Sequence, residues 1–289
     1  MKNREPVIYV VMWVLSFVLI AAATDESRLT FKFKTIDVPG SQGTNVAGIG
    51  NSGAMVGWWY FDQNGDSHGF LLSKGKVTNI DDPKGTNTLC YAINKQGVIV
   101  GWYTNSSGLP QAFFYKQGIF SDIGPAGAQF SYAFGINDQG EISGAYVDSS
   151  SAKHGFLWNG STYVTLDVPG ATRTIAFGIN NGGMVTLEWG DSSGNAESSV
   201  YDGKKYTRIN VPGAIGTYAH GISTQGDIAF SWTDSSGVFR GALRHGGKYF
   251  KFTDPRGVDS FGDGINDHRV LVGGYDTSSG VARGFRATY

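Results

Sequence analysis

His220 and Asp263 are the residues of this chain best placed to do chemistry together. They lie 43 residues apart, each immediately before a Gly-Ile pair, Gly221-Ile222 and Gly264-Ile265. A histidine held by a carboxylate is the usual form of a general base. A plain hydrogen-bonded pair, or two solvated side chains, accounts for the same residues. Four matching positions elsewhere hold Ala47, Tyr91, Phe134 and Phe177. Glu188 and Glu197 stand where the preceding unit has Ala145 and His154. Counting back from the turn at 191–194 sets these two carboxylates opposite each other on a hairpin, where like charges repel unless a cation, a proton or solvent relieves them. Asp62, Asn64 and Asp66 place oxygen ligands at alternate positions, as calcium loops do. No distant bidentate glutamate follows, and a polar hairpin turn explains that stretch equally well. If the protein is an enzyme, a lyase or hydrolase, its residues are His220, Asp263, Arg173 and Glu188.

These positions belong to a repeat. Six isoleucines, at 49, 93, 136, 179, 222 and 265, are spaced by 44, 43, 43, 43 and 43 residues. Three are flanked as Gly-Ile-Asn, as in Gly135-Ile136-Asn137, and the other three are weaker copies. A second series, Phe70, Phe113, Phe156, Ser199, Ala242 and Phe285, keeps a step of 43. A proline recurs with them, at Pro39, Pro83, Pro125, Pro169, Pro212 and Pro255. Each unit reads as four short strands. In the third these are 131–136, 141–146, 154–158 and 163–168, separated by Asn-, Asp-, Ser- and Gly-rich turns. Four strands in about 43 residues is the length of a propeller blade. The reading is therefore an all-β, six-bladed β-propeller of four-stranded blades over 31–289. The lone strand at 31–38 should pair with 282–289 and close the ring, which hides the edges an open stack would expose.

Closure of that kind makes the Gly-Ile-Asn strand the innermost of each blade. Glycine or alanine fits where six strands converge, the isoleucines pack between blades, and the asparagines start tight turns. Hydroxyls at Thr44, Thr88, Ser131, Thr174, Thr217 and Ser260 fall near the channel mouth. There they would meet a sugar or peptide, or else satisfy loop backbone. The tryptophans read as core packing. The face with the longer connections offers Asn87, Gln129, Tyr132, Arg173, Tyr218, His220, Arg256 and Asp259 as binding residues, because they differ between units on an otherwise regular scaffold.

Composition narrows the functional classes. A net charge of −1, with 16% charged residues, excludes nucleic-acid binding by charge and electrostatic docking on acidic membranes. One cysteine, Cys90, leaves no intramolecular disulfide and no multi-cysteine metal site. Residues 1–23 read as a signal peptide: Lys2 and Arg4, 14 uncharged residues from Val7 to Ile20, then three alanines. Residues 24–30 form a short linker. A retained N-terminal anchor is the alternative.

The combined pattern of Gly-Ile-Asn, Gly-x-Ile-Val-Gly-x-Tyr, His-Gly-Phe-Leu and Ile-Asp-x-Pro-Gly-Ala resembles the HAF-type extracellular repeat of exported bacterial proteins. Gln111-Ala112-Phe113 is the nearest match to the triplet that names it. The resemblance implies an exported, propeller-like protein and supplies no catalytic motif. The expectation is a secreted, periplasmic or cell-surface monomer with no cofactor. It binds an extracellular glycan, peptide or surface partner, or serves as a scaffold, and keeps no membrane contact after signal cleavage.

Overall fold

A computed structural model of the chain describes residues 29–61 and 65–289. Residues 1–23, read as a signal peptide, lie outside them, and so do Asp62 and Asn64. The described chain folds into 24 strands in six four-stranded antiparallel sheets. β1 (Lys32–Ile36) comes first. Blade 1 is β2 (Gly43–Ile49), β3 (Met55–Tyr60), β4 (His68–Ser73) and β5 (Lys76–Asn79). Blade 2 is β6 (Thr86–Ile93), β7 (Ile99–Thr104), β8 (Pro110–Lys116) and β9 (Ile119–Ile123). Blade 3 is β10 (Phe130–Ile136), β11 (Ile142–Val147), β12 (Lys153–Trp158) and β13 (Tyr163–Leu166). Blade 4 is β14 (Arg173–Ile179), β15 (Val185–Gly190), β16 (Ala196–Tyr201) and β17 (Tyr206–Arg208). Blade 5 is β18 (Gly216–Ile222), β19 (Ile228–Thr233), β20 (Phe239–His245) and β21 (Lys248–Phe252). Blade 6 begins with β22 (Asp259–Ile265), β23 (Val270–Asp276) and β24 (Ala282–Thr288), and β1 completes it.

The closure expected from the sequence is present: β1 runs antiparallel to β24, from Lys32 opposite Thr288 to Ile36 opposite Gly284. Aromatic contacts reinforce this seam. Phe33 meets Phe285 edge-on at 5.1 Å, and Phe31 lies 4.9 Å from Phe252 and 5.9 Å from Tyr289. Arg256 grips the buried Asp254 through Nε at 2.8 Å and Nη2 at 2.6 Å, and also donates to Thr35 Oγ1 on the incoming strand. Among the described residues no helix is long and apolar enough to cross a membrane.

Each blade carries one large side chain at the same depth, and two strands share the task of supplying it. Phe70, Phe113, Phe156 and Phe285, all fully buried, come from third strands and face Gly57, Gly101, Gly144 and Gly273 on second strands. In blades 4 and 5 the bulk changes sides: Leu187 faces Ser199, and Phe230 faces Ala242. Volume is conserved although the motif is lost, as close-packed interiors require. The six repeat isoleucines are all buried. Burying an aliphatic side chain of that size stabilises by roughly 1.5–3 kcal/mol.

The asparagine turns also fasten blades together. Asn180 Oδ1 accepts from Gly182 N and Met184 N, at 2.9 and 3.0 Å, which shapes its own turn. Its Nδ2 donates at 2.9 Å to the carbonyl of Ser223 in the next blade. Asn94, Asn137 and Asn266 make the same reach, to Asn137 O, Asn180 O and Gly50 O.

Candidate functional site

The residue before each inner-strand glycine or alanine is a β-bulge. Pairing of the inner with the second strand skips at Ala47, Tyr91, Phe134, Phe177, His220 and Asp263. A bulge leaves one residue unpaired and turns its side chain away from the regular alternation. Here all six bulged residues line the same axial cavity, of about 310 Å³. The adjoining glycines let the blades approach closely. A Cβ on Gly135 would stand 2.4 Å from the Phe177 carbonyl oxygen, and one on Gly178 would stand 2.5 Å from that of His220. A second space, of about 80 Å³, lies at the asparagine turns. There Asn51 Nδ2 donates to Asp267 Oδ2 at 2.8 Å, and Asn181 Nδ2 to Asp138 Oδ2 at 2.9 Å.

The cavity has two chemically different halves. Trp58, Tyr91, Phe134, Phe177 and His220 form an unbroken belt of rings, with successive centroids 5.3, 4.9, 4.6 and 4.8 Å apart. Tyr132 stacks behind Phe134 at 5.7 Å and 12°. The belt ends where His220 Nδ1 meets Asp263 Oδ1 at 3.1 Å. Gly262 O also lies 3.1 Å from Nδ1. Two acceptors at Nδ1 fix a proton there, so Nε2 is the acceptor of the neutral ring. Burial in the channel wall favours neutral His220. The Asp263 hydrogen bond and charge, the charge of Glu188 and the Gly262 carbonyl outweigh it, and the pKa is raised. Burial pushes the Tyr91 phenol up to about 12, so it stays a neutral hydroxyl.

Of the site residues read from the sequence, His220, Asp263, Arg173 and Glu188 gather on one side of the ring. Arg173 Nη2 donates to Glu188 Oε1 at 3.0 Å, and that carboxylate acts electrostatically on His220. Tyr132 belongs to the aromatic wall, with Lys153 Nζ 5.7 Å from its ring centroid. Tyr218 lies 5.6 Å from Phe239 in blade 5. The remaining four are occupied with loop and seam contacts. Asn87, at φ 52°, accepts from Ser67 N at 2.9 Å; Gln129 donates to Asp148 O at 2.8 Å; Asp259 accepts from Phe239 N at 2.8 Å; Arg256 serves the seam. Asp66 is exposed. Among the described residues no group of three or more His, Cys, Asp or Glu side chains could hold a metal ion.

Two expectations are corrected, the facing glutamates and the packing role of Trp58. Glu188 and Glu197 are not opposite each other: Glu188 faces Ser198, and Glu197 faces Trp189. The turn closes on Asp191 and Asn195, with Gly194 at φ 86°, one residue longer than the count assumed. A one-residue slip in a period of two sends the carboxylates to opposite faces. Each has its own arginine, Arg173 for Glu188 and Arg208 for Glu197, the latter pair at 2.5 Å. The hydroxyls take the second of their two expected roles, satisfying backbone, and none of them lines the axial cavity. Thr44, Thr88, Thr174, Thr217 and Ser260 are buried, and each accepts from the backbone N–H six residues earlier. In blade 3 that position is Pro125, which has no N–H, and Ser131 takes Ala112 N at 3.1 Å instead. Trp58, read as core packing, is a wall of the cavity.

No family model matches the chain, and no curated protein does. Solved structures do. A variant of Aleuria aurantia lectin in complex with Fucα1-6GlcNAc is 12% identical, with 88% of this chain and 93% of that chain covered and a TM-score of 0.54. A protein assigned as TolB from Agrobacterium tumefaciens is 13% identical, covering 86% and 91%, with a TM-score of 0.60. The propeller domain of the Trilobed protease from Pyrococcus furiosus is 11% identical, covering 84% and 95%, with a TM-score of 0.50. Likeness at these identities establishes the six-bladed propeller class and nothing finer.

Proposed function

We propose that this protein is an exported binding propeller that takes a saccharide at the mouth of its axial channel. The observation that carries the reading is the bulge-built cavity, with rings along one wall and the His220–Asp263 pair closing it. Sugar rings present an apolar C–H face and a rim of hydroxyls. The first suits the aromatic belt, and the second suits a carboxylate and an imidazole acceptor. A cavity of about 310 Å³ is at the small end of ligand sites and fits one terminal sugar unit. The fold it shares with the fucoside-bound Aleuria lectin supports the same class of ligand. The HAF-type motifs and the apolar N-terminal segment support export. A glycan array probed with the mature chain tests the reading. Binding should be selective and should fall on Phe134→Ala, whereas uniform silence across the array would overturn it.

One observation favours a second reading, a lyase or hydrolase. The Nδ1 proton of His220 is held by Asp263, which is the arrangement of a general base. Incubating the glycans that bind with wild-type chain and with His220→Gln separates the two. Product formation lost in the variant supports the enzyme, and unchanged glycan supports binding alone.

A further inference from the structure

We propose that the saccharide taken by the channel carries an ammonium group, seated between the aromatic belt and Asp263. This rests on the glycan-binding reading and names the ligand class of that site. Trp58, Tyr91, Phe134 and Phe177 turn four rings towards a single cavity. Aromatic faces attract cations, and more strongly where water is excluded. The cavity lining includes no lysine or arginine, and its one carboxylate is Asp263. Further carboxylates stand outside the lining. Glu188 acts on His220 from β15, and in blade 6 Asp259 faces Asp276 across the strand pair. Burial and the Asp259 charge hold Asp276 above the ordinary carboxylate range, as expected where negative charge is crowded. Cations stand outside it too, among them Arg240 beside Val258 and Lys95 at the asparagine turns. Arg173 is held by Glu188 at 3.0 Å, and Lys153 sits over the outer ring Tyr132. A sulfated or carboxylated sugar would meet Asp263 unfavourably, and a neutral sugar would leave the cation–ring attraction unused.

The site has one internal competitor for Asp263, the proton on His220. An ammonium that pairs with Asp263 weakens the contact that holds this proton. Binding is therefore coupled to proton release from His220, and no covalent bond changes.

Calorimetry on the full mature chain, at a pH above the His220 transition, tests the assignment. The probes are 6-amino-6-deoxyglucose, glucose and tetramethylammonium. The amino sugar should bind at least about tenfold more tightly than glucose. Asp263→Asn, nearly isosteric, should erase that preference. Phe134→Leu should weaken the amino sugar more than glucose, with circular dichroism confirming that both variants fold. Equal binding of glucose and amino sugar overturns the ammonium assignment and leaves the glycan reading standing. Tetramethylammonium binding as tightly as the amino sugar, with glucose silent, overturns the glycan reading while the cation site stands. If none of the three binds, the assignment is overturned.

Discussion

Phe230 fills, from the second strand of blade 5, the space that Phe156 fills from the third strand of blade 3; both are fully buried. The exchange makes a double-mutant test. Phe230→Gly alone should cost about 3–5 kcal/mol through the cavity left behind. Ala242→Phe alone should cost about 1–3 kcal/mol through overpacking. Together the changes rebuild the arrangement of blade 3, so the pair should lose less than the sum. Urea denaturation of the four proteins measures the coupling, and strict additivity would refute the equivalence of the two packings.

Blade number and the identity of the inner strand were legible because a step of about 43 residues repeats turns, prolines and core positions, and closure because the strand at 31–38 stands alone before the first unit. In blade 3 the expected strands agree with the observed ones to within two residues. The chemistry of the site was only half legible. The column Ala47 to Asp263 stood out because it varies, but its projection into the channel depends on six bulges. A bulge is a property of two paired strands, and alternation within one strand does not encode it. The Glu188–Glu197 arrangement failed on the length of one turn. Trp58 was missed because a second-strand tryptophan reads as packing, and only the bulge of the next blade brings Tyr91 to within 5.3 Å of it and makes it part of the wall.

The inter-blade glycine is expected to tolerate no side chain. Gly135→Ala places a carbon 2.4 Å from a backbone oxygen of the next blade, and backbone gives way poorly. The loss should be at least about 1–3 kcal/mol. Thermal melting checks it, and an unchanged Tm would mean that the blades can slide apart at no cost.

Asn180→Ala removes the acceptor of two turn-shaping hydrogen bonds and the donor to Ser223 O. A destabilisation of about 1–3 kcal/mol should follow. Asn180→Asp keeps the acceptor but turns a buried carboxylate oxygen towards the Ser223 carbonyl, so its loss should grow as the pH is raised and the carboxylate ionises. Chemical denaturation reads both.

The raised pKa of His220 carries a sign for stability. The folded state favours the protonated ring more than the unfolded chain does, so this contribution is fully present below the ordinary value of 6.5. It fades as pH rises through the higher folded value. The groups that set it are Asp263 on β22, Glu188 on β15 and the Gly262 carbonyl. NMR titration of the His220 ring should give a pKa above that of Asp263→Asn. Thermal melts either side of the transition should show a pH slope in the wild type that is smaller in the variant. Equal titration curves would mean that the carboxylate does not hold the proton.

The pairing of Lys32 with Thr288 also sets an order of events. Among the described strands β1 is made first, yet its partner β24 is made last, so the earliest strand must wait, unpaired, for the whole circuit to be synthesised. Until that moment five blades can assemble but the sixth cannot, and the wall that carries Asp263 has no fourth strand behind it. The axial cavity therefore matures at the final step, and a chain cut short anywhere before β24 would leave a crescent with two sticky ends in place of a vessel.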